Sequence, residues 1–259
     1  MDLVVRGVSK AFGGLRAVSG VSFTVPSGSI FGLIGPNGAG KTTMFNLVTG
    51  VFAPDEGSIH LGATDLGALP PAAIARAGVA RTFQNVRLFA ELTARENLLV
   101  ACEVRKRSGL LAAVLRTGAY FADEKAMQAR AVELLHVFGL EALAGVRAAS
   151  LSYGDQRRLE IARAMMIGPK VALLDEPAAG MNTREAGALR DQIRWLRDTF
   201  GASVVLVEHN MDVVMGVCET IQVLDHGETI ASGSPAEIRA DARVIAAYLG
   251  EETDAEARP

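Results

Sequence analysis

Two kinds of hydrophobic pattern divide the chain. Short apolar runs separated by turns fill its first part, and Leu3–Val8, Val18–Val25 and Ile30–Ile34 read as strands. Pro26-Ser27-Gly28 makes the turn between the last two, and Gly57–Leu61 closes this β-rich part. From Pro70 the apolar residues recur with a helical period. Met127, Ala131, Leu134, Leu135 and Phe138 mark one face of such a helix. Thr93 and Glu96 have the spacing of a capping box, opening a helix through Leu98 and Leu99. Two almost wholly apolar runs, Val171–Leu174 and Ser203–Val207, each lead into polar residues and then a helix. That alternation predicts parallel strands buried on both faces, and therefore an α/β fold. No internal repeat is visible.

Chemistry enters at Gly35-Pro36-Asn37-Gly38-Ala39-Gly40-Lys41-Thr42, which follows the apolar run Ile30–Ile34 and precedes a helix over Thr42–Val48. A glycine, four free positions and then Gly-Lys-Thr is the phosphate-binding loop pattern. A loop wedged between strand and helix directs its backbone N–H groups at one spot, and the helix N-terminus adds partial positive charge. The glycines let a phosphate approach where a Cβ would block it. Lys41 reaches the terminal phosphates, and the Thr42 hydroxyl completes the shell of a Mg²⁺ ion. A second motif, Val171-Ala172-Leu173-Leu174-Asp175-Glu176-Pro177, is an apolar strand ending in two acids. Ligands of parallel sheets gather at the carboxyl ends of strands. Asp175 is there to hold Mg²⁺ beside Thr42, and Glu176 to polarise an attacking water.

Charge and cysteine count narrow the partners. The 259 residues carry a net charge of −3, so no overall basic field recommends nucleic acid. Cys102 and Cys218 stand far apart, which is neither a disulfide framework nor a metal pattern and suits a reducing compartment. The beginning Met1-Asp2-Leu3 lacks the layout of a secretory signal, and no apolar run approaches the roughly 20 residues needed to cross a bilayer. A role at a membrane is therefore expected to run through a partner, from the cytoplasmic side.

Leu151-Ser152-Tyr153-Gly154-Asp155-Gln156-Arg157-Arg158 precedes a helix running to about Met166. It resembles the signature loop of ATP-binding cassette (ABC) ATPases, usually Leu-Ser-Gly-Gly-Gln. Further segments agree in order: Gln84 in Arg81-Thr82-Phe83-Gln84-Asn85 with the glutamine loop, and His209 in Val207-Glu208-His209-Asn210 with the switch histidine. Ala178-Ala179-Gly180-Met181-Asn182 occupies the loop that crosses the dimer interface. The resemblance covers nearly the whole chain. It implies an α/β, ABC-type P-loop ATPase core with a mixed β-sheet, an antiparallel β-subdomain and an inserted helical subdomain. Residues 1–85 and 166–250 would form the core, 86–165 the helical subdomain with the signature loop, and 251–259 a charged tail.

The resemblance also assigns roles. ATP and Mg²⁺ are the expected cofactors. Gly35, Asn37, Gly38, Gly40, Lys41, Thr42 and Thr43 would hold the phosphates, and Phe12 would stack on adenine, although it serves equally well as core. Ser152 and Gly154 would reach the nucleotide of a second ATPase subunit, of the same or a related chain. Glu176, His209 and Gln84 would form the catalytic set, and Thr42, Gln84 and Asp175 the metal set. Polytopic permease subunits are the expected partners, at the cytoplasmic face of the inner or plasma membrane, with docking expected around Gln84–Phe89.

Finer similarity is to ATPase subunits of branched-chain amino-acid importers. It is carried by Arg81–Phe89, by Glu176-Pro177-Ala178-Ala179-Gly180-Met181-Asn182, by Ala246-Ala247-Tyr248-Leu249-Gly250, and by the long insertion after Glu96-Asn97-Leu98-Leu99-Val100. Cassettes for urea, amides or lipid export share parts of these segments, and a soluble ABC ATPase is the alternative outside transport. Two residues depart from the family pattern. Asp155 stands where the signature carries Gln, and Asn182 where the crossing loop carries Asp. Both bear on the rate of hydrolysis. The insertion Glu103–Phe121, with Arg105-Lys106-Arg107 and then Leu110-Leu111, reads either as a basic amphipathic element near the membrane or as a solvated excursion.

Overall fold

The computed structural model describes residues 1–83, 86–102 and 118–248, without the side chain of Ala119. Gln84, most of the 103–121 insertion and the 251–259 tail lie outside the described residues. Down the chain, β1 (Leu3–Phe12), β2 (Leu15–Val25) and β3 (Ile30–Ile34) lead through the glycine-rich loop into helix α1 (Lys41–Val48). Then come β4 (Glu56–Leu61), β5 (Thr64–Asp65), α2 (Pro71–Ala77), β6 (Val79–Arg81), α3 (Ala94–Ala101), α4 (Gly118–Val137) and α5 (Tyr153–Met166). The last part alternates through β7 (Val171–Asp175), α6 (Thr183–Phe200), β8 (Ser203–Val207), α7 (Met211–Val217), β9 (Thr220–Asp225), β10 (Glu228–Gly233) and α8 (Pro235–Ala240).

Two sheets result. An antiparallel one runs β2-β1-β4-β5, and a mixed one runs β10-β9-β3-β8-β7-β6, parallel except for the β9–β10 pair. Both expected parallel strands are present, β7 one residue longer than expected and β8 as expected. β1 and β2 run past the apolar stretches into the exposed residues Phe12 and Leu15. There the pairing of Phe12 with Leu15 holds the backbone extended where no side chain is buried. β5, β6, β9 and β10 are not expected from pattern. β6 is only three residues long, too short to show a period.

The buried strands of the mixed sheet serve two cores at once. Ile30, Ile34, Ala172, Leu174, Val204 and Leu206 face a helical layer that includes Leu98, Leu134, Phe138 and Leu159. Their neighbours Phe31, Leu33, Val171, Leu173, Val205 and Val207 face α1 and the antiparallel sheet. Side chains alternate across a strand, so each strand divides its residues between the two clusters. Asp175 has the parity of Val171 and Leu173, which places it on the side of α1 and the glycine-rich loop.

One helix starts where a capping signal in the sequence places it. Thr93 and Glu96 form the expected capping box at the head of α3. Asn182 caps α6 in the same way, its side chain accepting from Glu185 N at 3.0 Å while the Glu185 carboxylate accepts from Asn182 N at 2.9 Å. Asn is as good a cap as Asp, so this departure from the family pattern leaves the start of the helix intact.

Candidate functional site

Helix α1 begins differently. Gly40, at φ 99, enters it with no side-chain cap, so its first N–H groups stay available to an anion. Lys41 is the first residue of the helix and is only 6% exposed. Its Nζ donates to the carbonyls of Gly35 at 2.6 Å and Pro36 at 2.7 Å, which folds the ammonium over the loop. The glycines are needed for a reason other than phosphate approach. A Cβ on Gly35 would lie 2.0 Å from Leu224 O, and one on Gly40 would lie 2.6 Å from Ala17 O. The loop is thus pressed against β9 and β2 from behind. At Gly38 a Cβ would meet open space, but its φ of +80 still disfavours any other residue.

The loop lines a pocket of about 530 Å³. Asn37, Gly38, Gly40, Lys41, Thr42 and Thr43 form its floor, and Glu176 and His209 one wall. Phe12 sits at its rim, 41% exposed, edge-on to Phe52 at 5.0 Å between ring centroids. Lys10 Nζ lies over the same ring, 5.8 Å from its centroid. Leu15, Arg16 and His226 also line the pocket, and no sequence motif marked them.

Asp175 and Glu176 leave the end of β7 in different directions. Asp175 is 3% exposed; its N–H donates to Thr82 Oγ1 at 3.0 Å, and its Oδ2 accepts from Arg81 Nη2 at 3.1 Å. Burial pushes its carboxyl above the ordinary value, and the Arg81 hydrogen bond and charge pull it back. Arg81 also donates to Asn46 Oδ1 at 2.6 Å, tying α1 to the strand end. Glu176 has a left-handed backbone, φ 48, a strained conformation for a residue with a side chain. Its Oε1 lies 3.1 Å from His209 Nε2. Two of the three residues expected in the catalytic set are therefore in contact in this chain.

Beneath that contact lies Glu208, 3% exposed, whose carboxylate accepts backbone N–H bonds from Ala178, His209 and Asn210. Burial raises its carboxyl, while the three N–H donors act the other way. Neither Arg81 nor Glu208 is singled out by the sequence, because the contacts that join each of them to another part of the site, Arg81 to Asp175 and Glu208 to Ala178, are distant along the chain.

Ser152 and Gly154 lie elsewhere. Ser152 caps α5, and Gly154 lines a separate groove with Arg158, Met181, Asn182 and Arg184. The Ser152 hydroxyl donates to Asp155 Oδ2 at 2.6 Å, and Asp155 also pairs with Arg158. Gln84 lies outside the described residues. Its flanks are held by α5, where Arg157 donates to Phe83 O at 2.6 Å and Glu160 accepts from Arg87 N at 3.2 Å.

Comparison with known proteins extends this geometry. A family model described as ABC transporter matches residues 18–179, and one described as branched-chain amino acid ATP-binding cassette transporter matches residues 228–254. The chain is 47% identical over 249 residues to the high-affinity branched-chain amino acid transport ATP-binding protein LivG of Salmonella typhimurium, covering 96% of this chain and 98% of that one. It is 46% identical over 249 residues, with the same coverage, to BraF of Pseudomonas aeruginosa, which bears the same description. The lipopolysaccharide export system ATP-binding protein LptB of Escherichia coli is 39% identical over 250 residues, with 96% and 98% covered. Among solved structures, the ADP conformation of MJ1267, an ATP-binding cassette of an ABC transporter, superposes with a TM-score of 0.83 at 31% identity, covering 96% and 99% of the two chains. The dimeric post-hydrolysis state of the cassette MJ0796, bound to ADP and Pi, gives 0.77 at 25% identity over 90% and 98%. A cradle for phosphates, two acids at a strand end and a histidine on the second acid thus sit in a chain that matches cassettes along nearly its whole length, and the protein belongs to the ABC transporter family of ATP-binding, ATP-hydrolysing subunits.

Proposed function

We propose that the protein is the ATP-driven motor of a membrane importer of branched-chain amino acids. The observation that carries its hydrolytic role is the Glu176–His209 contact at 3.1 Å beside the phosphate loop. The substrate rests on LivG and BraF and on the C-terminal match to the branched-chain amino acid family. ATP enters with its phosphates over the loop, and Lys41 exchanges the carbonyls of Gly35 and Pro36 for phosphate oxygens. At about 4 Å and an effective dielectric near 20, that attraction is roughly 4 kcal/mol. Phe12 stacks on the base. Glu176 takes a proton from the attacking water, and His209 orients Glu176 and contacts the γ-phosphate. Ser152 and Gly154, remote from the pocket of their own chain, complete the site of a second subunit.

The donors present suit Mg²⁺. Asp175 and Thr42 supply hard oxygens, and among the described residues no cluster of three His, Cys, Asp or Glu side chains competes as a metal cage. A few protein oxygens plus phosphates are the usual Mg²⁺ shell. Thr42, Asp175 and Gln84 would hold the ion, which when bound neutralises charge developing on the phosphate oxygens.

We further assign residues 1–85 and 166–250 to the nucleotide-binding core and 86–165 to a helical subdomain, in keeping with the mutual packing of α3, α4 and α5. No described helix is long and apolar enough to cross a membrane, and permease chains are the proposed partners. A groove of about 290 Å³ lined by Val51, Ile74, Val79, Phe83, Ala101 and Arg163 opens at Phe83 and supports docking in that region. The test is ATP-dependent uptake of leucine, isoleucine or valine by vesicles carrying this chain with its permease. Uptake lost in Lys41→Ala supports the assignment. Hydrolysis that responds to lipid export chains and not to the permease would move the protein to the LptB type.

A further inference from the structure

The Glu208 carboxylate joins two loops. Oε1 accepts from Ala178 N at 2.6 Å, in the segment just after Glu176. Oε2 accepts from His209 N and Asn210 N, both at 3.0 Å. Backbone bonds continue the connection on either side: Glu176 N donates to Val207 O at 2.8 Å, Ala179 N to Glu176 O at 3.2 Å, and Met181 N to Ala178 O at 3.0 Å. A carboxyl group at 3% exposure with three N–H partners is held far more firmly than an exposed one. The contact between Glu176 and His209 is made by side chains 40% and 21% exposed on His209 and Glu176 respectively, which have room to separate. The firm connection lies below the exposed one.

We propose that Glu208 is a positioning residue, a clasp that fixes the turn bearing His209 to the 177–182 loop and so sets the Glu176–His209 contact. A displacement of that loop moves Ala178, and through Glu208 it moves the backbone of His209. The proposal rests on the assignment of Glu176 and His209 to hydrolysis. Glu208 is not among the residues lining the pocket, so it acts on His209 through the backbone.

The test uses Glu208→Gln in the full chain. The amide keeps the shape but turns an NH₂ donor toward N–H groups that need an acceptor. We expect kcat for ATP hydrolysis to fall on the order of 10- to 100-fold, as small misplacements of catalytic groups do. KM for ATP should stay within about twofold, because the phosphate loop is untouched. Amide hydrogen exchange at Ala178, His209 and Asn210 should accelerate together. Adding His209→Ala to Glu208→Gln should cost no more than His209→Ala alone, since the clasp acts through that residue. A rise in KM with kcat unchanged, independent multiplying losses in the double variant, or unchanged exchange at the three amides would overturn the proposal. If Glu208→Gln does not fold, exchange in the wild-type protein decides: one shared opening rate for the three amides supports the clasp, and three separate rates overturn it. Full-rate hydrolysis by His209→Ala would instead count against the catalytic assignment, and the exchange rates would still judge the clasp.

Discussion

Arg157 and Glu160 form an ion pair inside the protein, Nη1 to Oε2 at 3.3 Å, with both side chains 2% exposed. One turn of α5 thereby grips both ends of the segment that contains Gln84, through Phe83 on one side and Arg87 on the other. Removing one member of such a pair leaves the other charge buried and uncompensated, at a cost of about 3–5 kcal/mol. Glu160→Ala should therefore lower the thermal midpoint by many degrees. Calorimetry checks it; a midpoint within about two degrees of wild type would show that the pair contributes little.

Lys41→Ala and Glu176→Gln should fail at different steps. The first removes a charge-assisted contact to phosphate worth about 1.5–3 kcal/mol, weakening ATP binding on the order of 10- to 100-fold. The second keeps binding and lowers turnover by roughly 10²–10⁴-fold, the usual weight of a general base. Equilibrium titration and steady-state phosphate release on both variants separate the two. Full-rate hydrolysis by Glu176→Gln would falsify the role given to that residue.

The Ser152 hydroxyl is engaged by Asp155 at 2.6 Å, so it must let go before it can donate to a phosphate on a second subunit. In the Glu176→Gln background, Asp155→Gln should strengthen the ATP-dependent dimer, and Ser152→Arg should abolish it while leaving ATP binding at the chain's own site. Light scattering with ATP and with ADP measures both. A dimer that ignores Asp155→Gln would mean the hydroxyl is exchanged without cost. The subunit added as partner must include a related cassette if the homodimer is weak.

Docking predicts a third kind of loss. Arg87 is exposed and lies over the Phe83 ring at 4.2 Å, and Phe89 is 50% exposed, whereas Leu88 packs against the core. Arg87→Glu with Phe89→Ala should uncouple uptake in vesicles while ATPase activity of the free chain stays near wild type. Equal loss of both activities would make the segment structural, and normal uptake would place docking elsewhere.

Cys218 is 6% exposed, and burial pushes its thiol up to about 12. The thiolate is the reactive form, so its fraction at pH 8 is vanishingly small. Iodoacetamide at pH 8 should leave Cys218 of the native protein unmodified and alkylate it after denaturation, as peptide mass spectrometry would reveal. Native labelling would mean that the end of α7 opens readily.

What the sequence made legible was set by locality. β3, β8 and the phosphate loop are specified by adjacent residues, so pattern found them to within a residue. Asp175 and Glu176 were legible because a strand end positions both. Arg81, Glu208 and Glu160 were not, since each has a decisive contact far away in the chain, with Asp175, Ala178 and the Phe83 and Arg87 amides respectively, and a charged residue carries no mark of what it will meet. The reason for Gly35 and Gly40 was half legible: the need for glycine showed, but the crowding by Leu224 and Ala17 did not.

The division of each central strand between two cores has a consequence for how the chemistry is aimed. A strand with solvent on one face is kept in register by oil and water; β7 has no wet face, and hydrophobicity alone would tolerate a slip of one residue. Only the shapes of the two facing cores forbid it. Such a slip would exchange the positions of Leu174 and Asp175, burying the acid among the side chains around Phe138 and setting a leucine before the nucleotide. The strand therefore works as a ruler, with graduations cut by the packing on either side, and repacking either core at β7 recalibrates where the carboxylate falls.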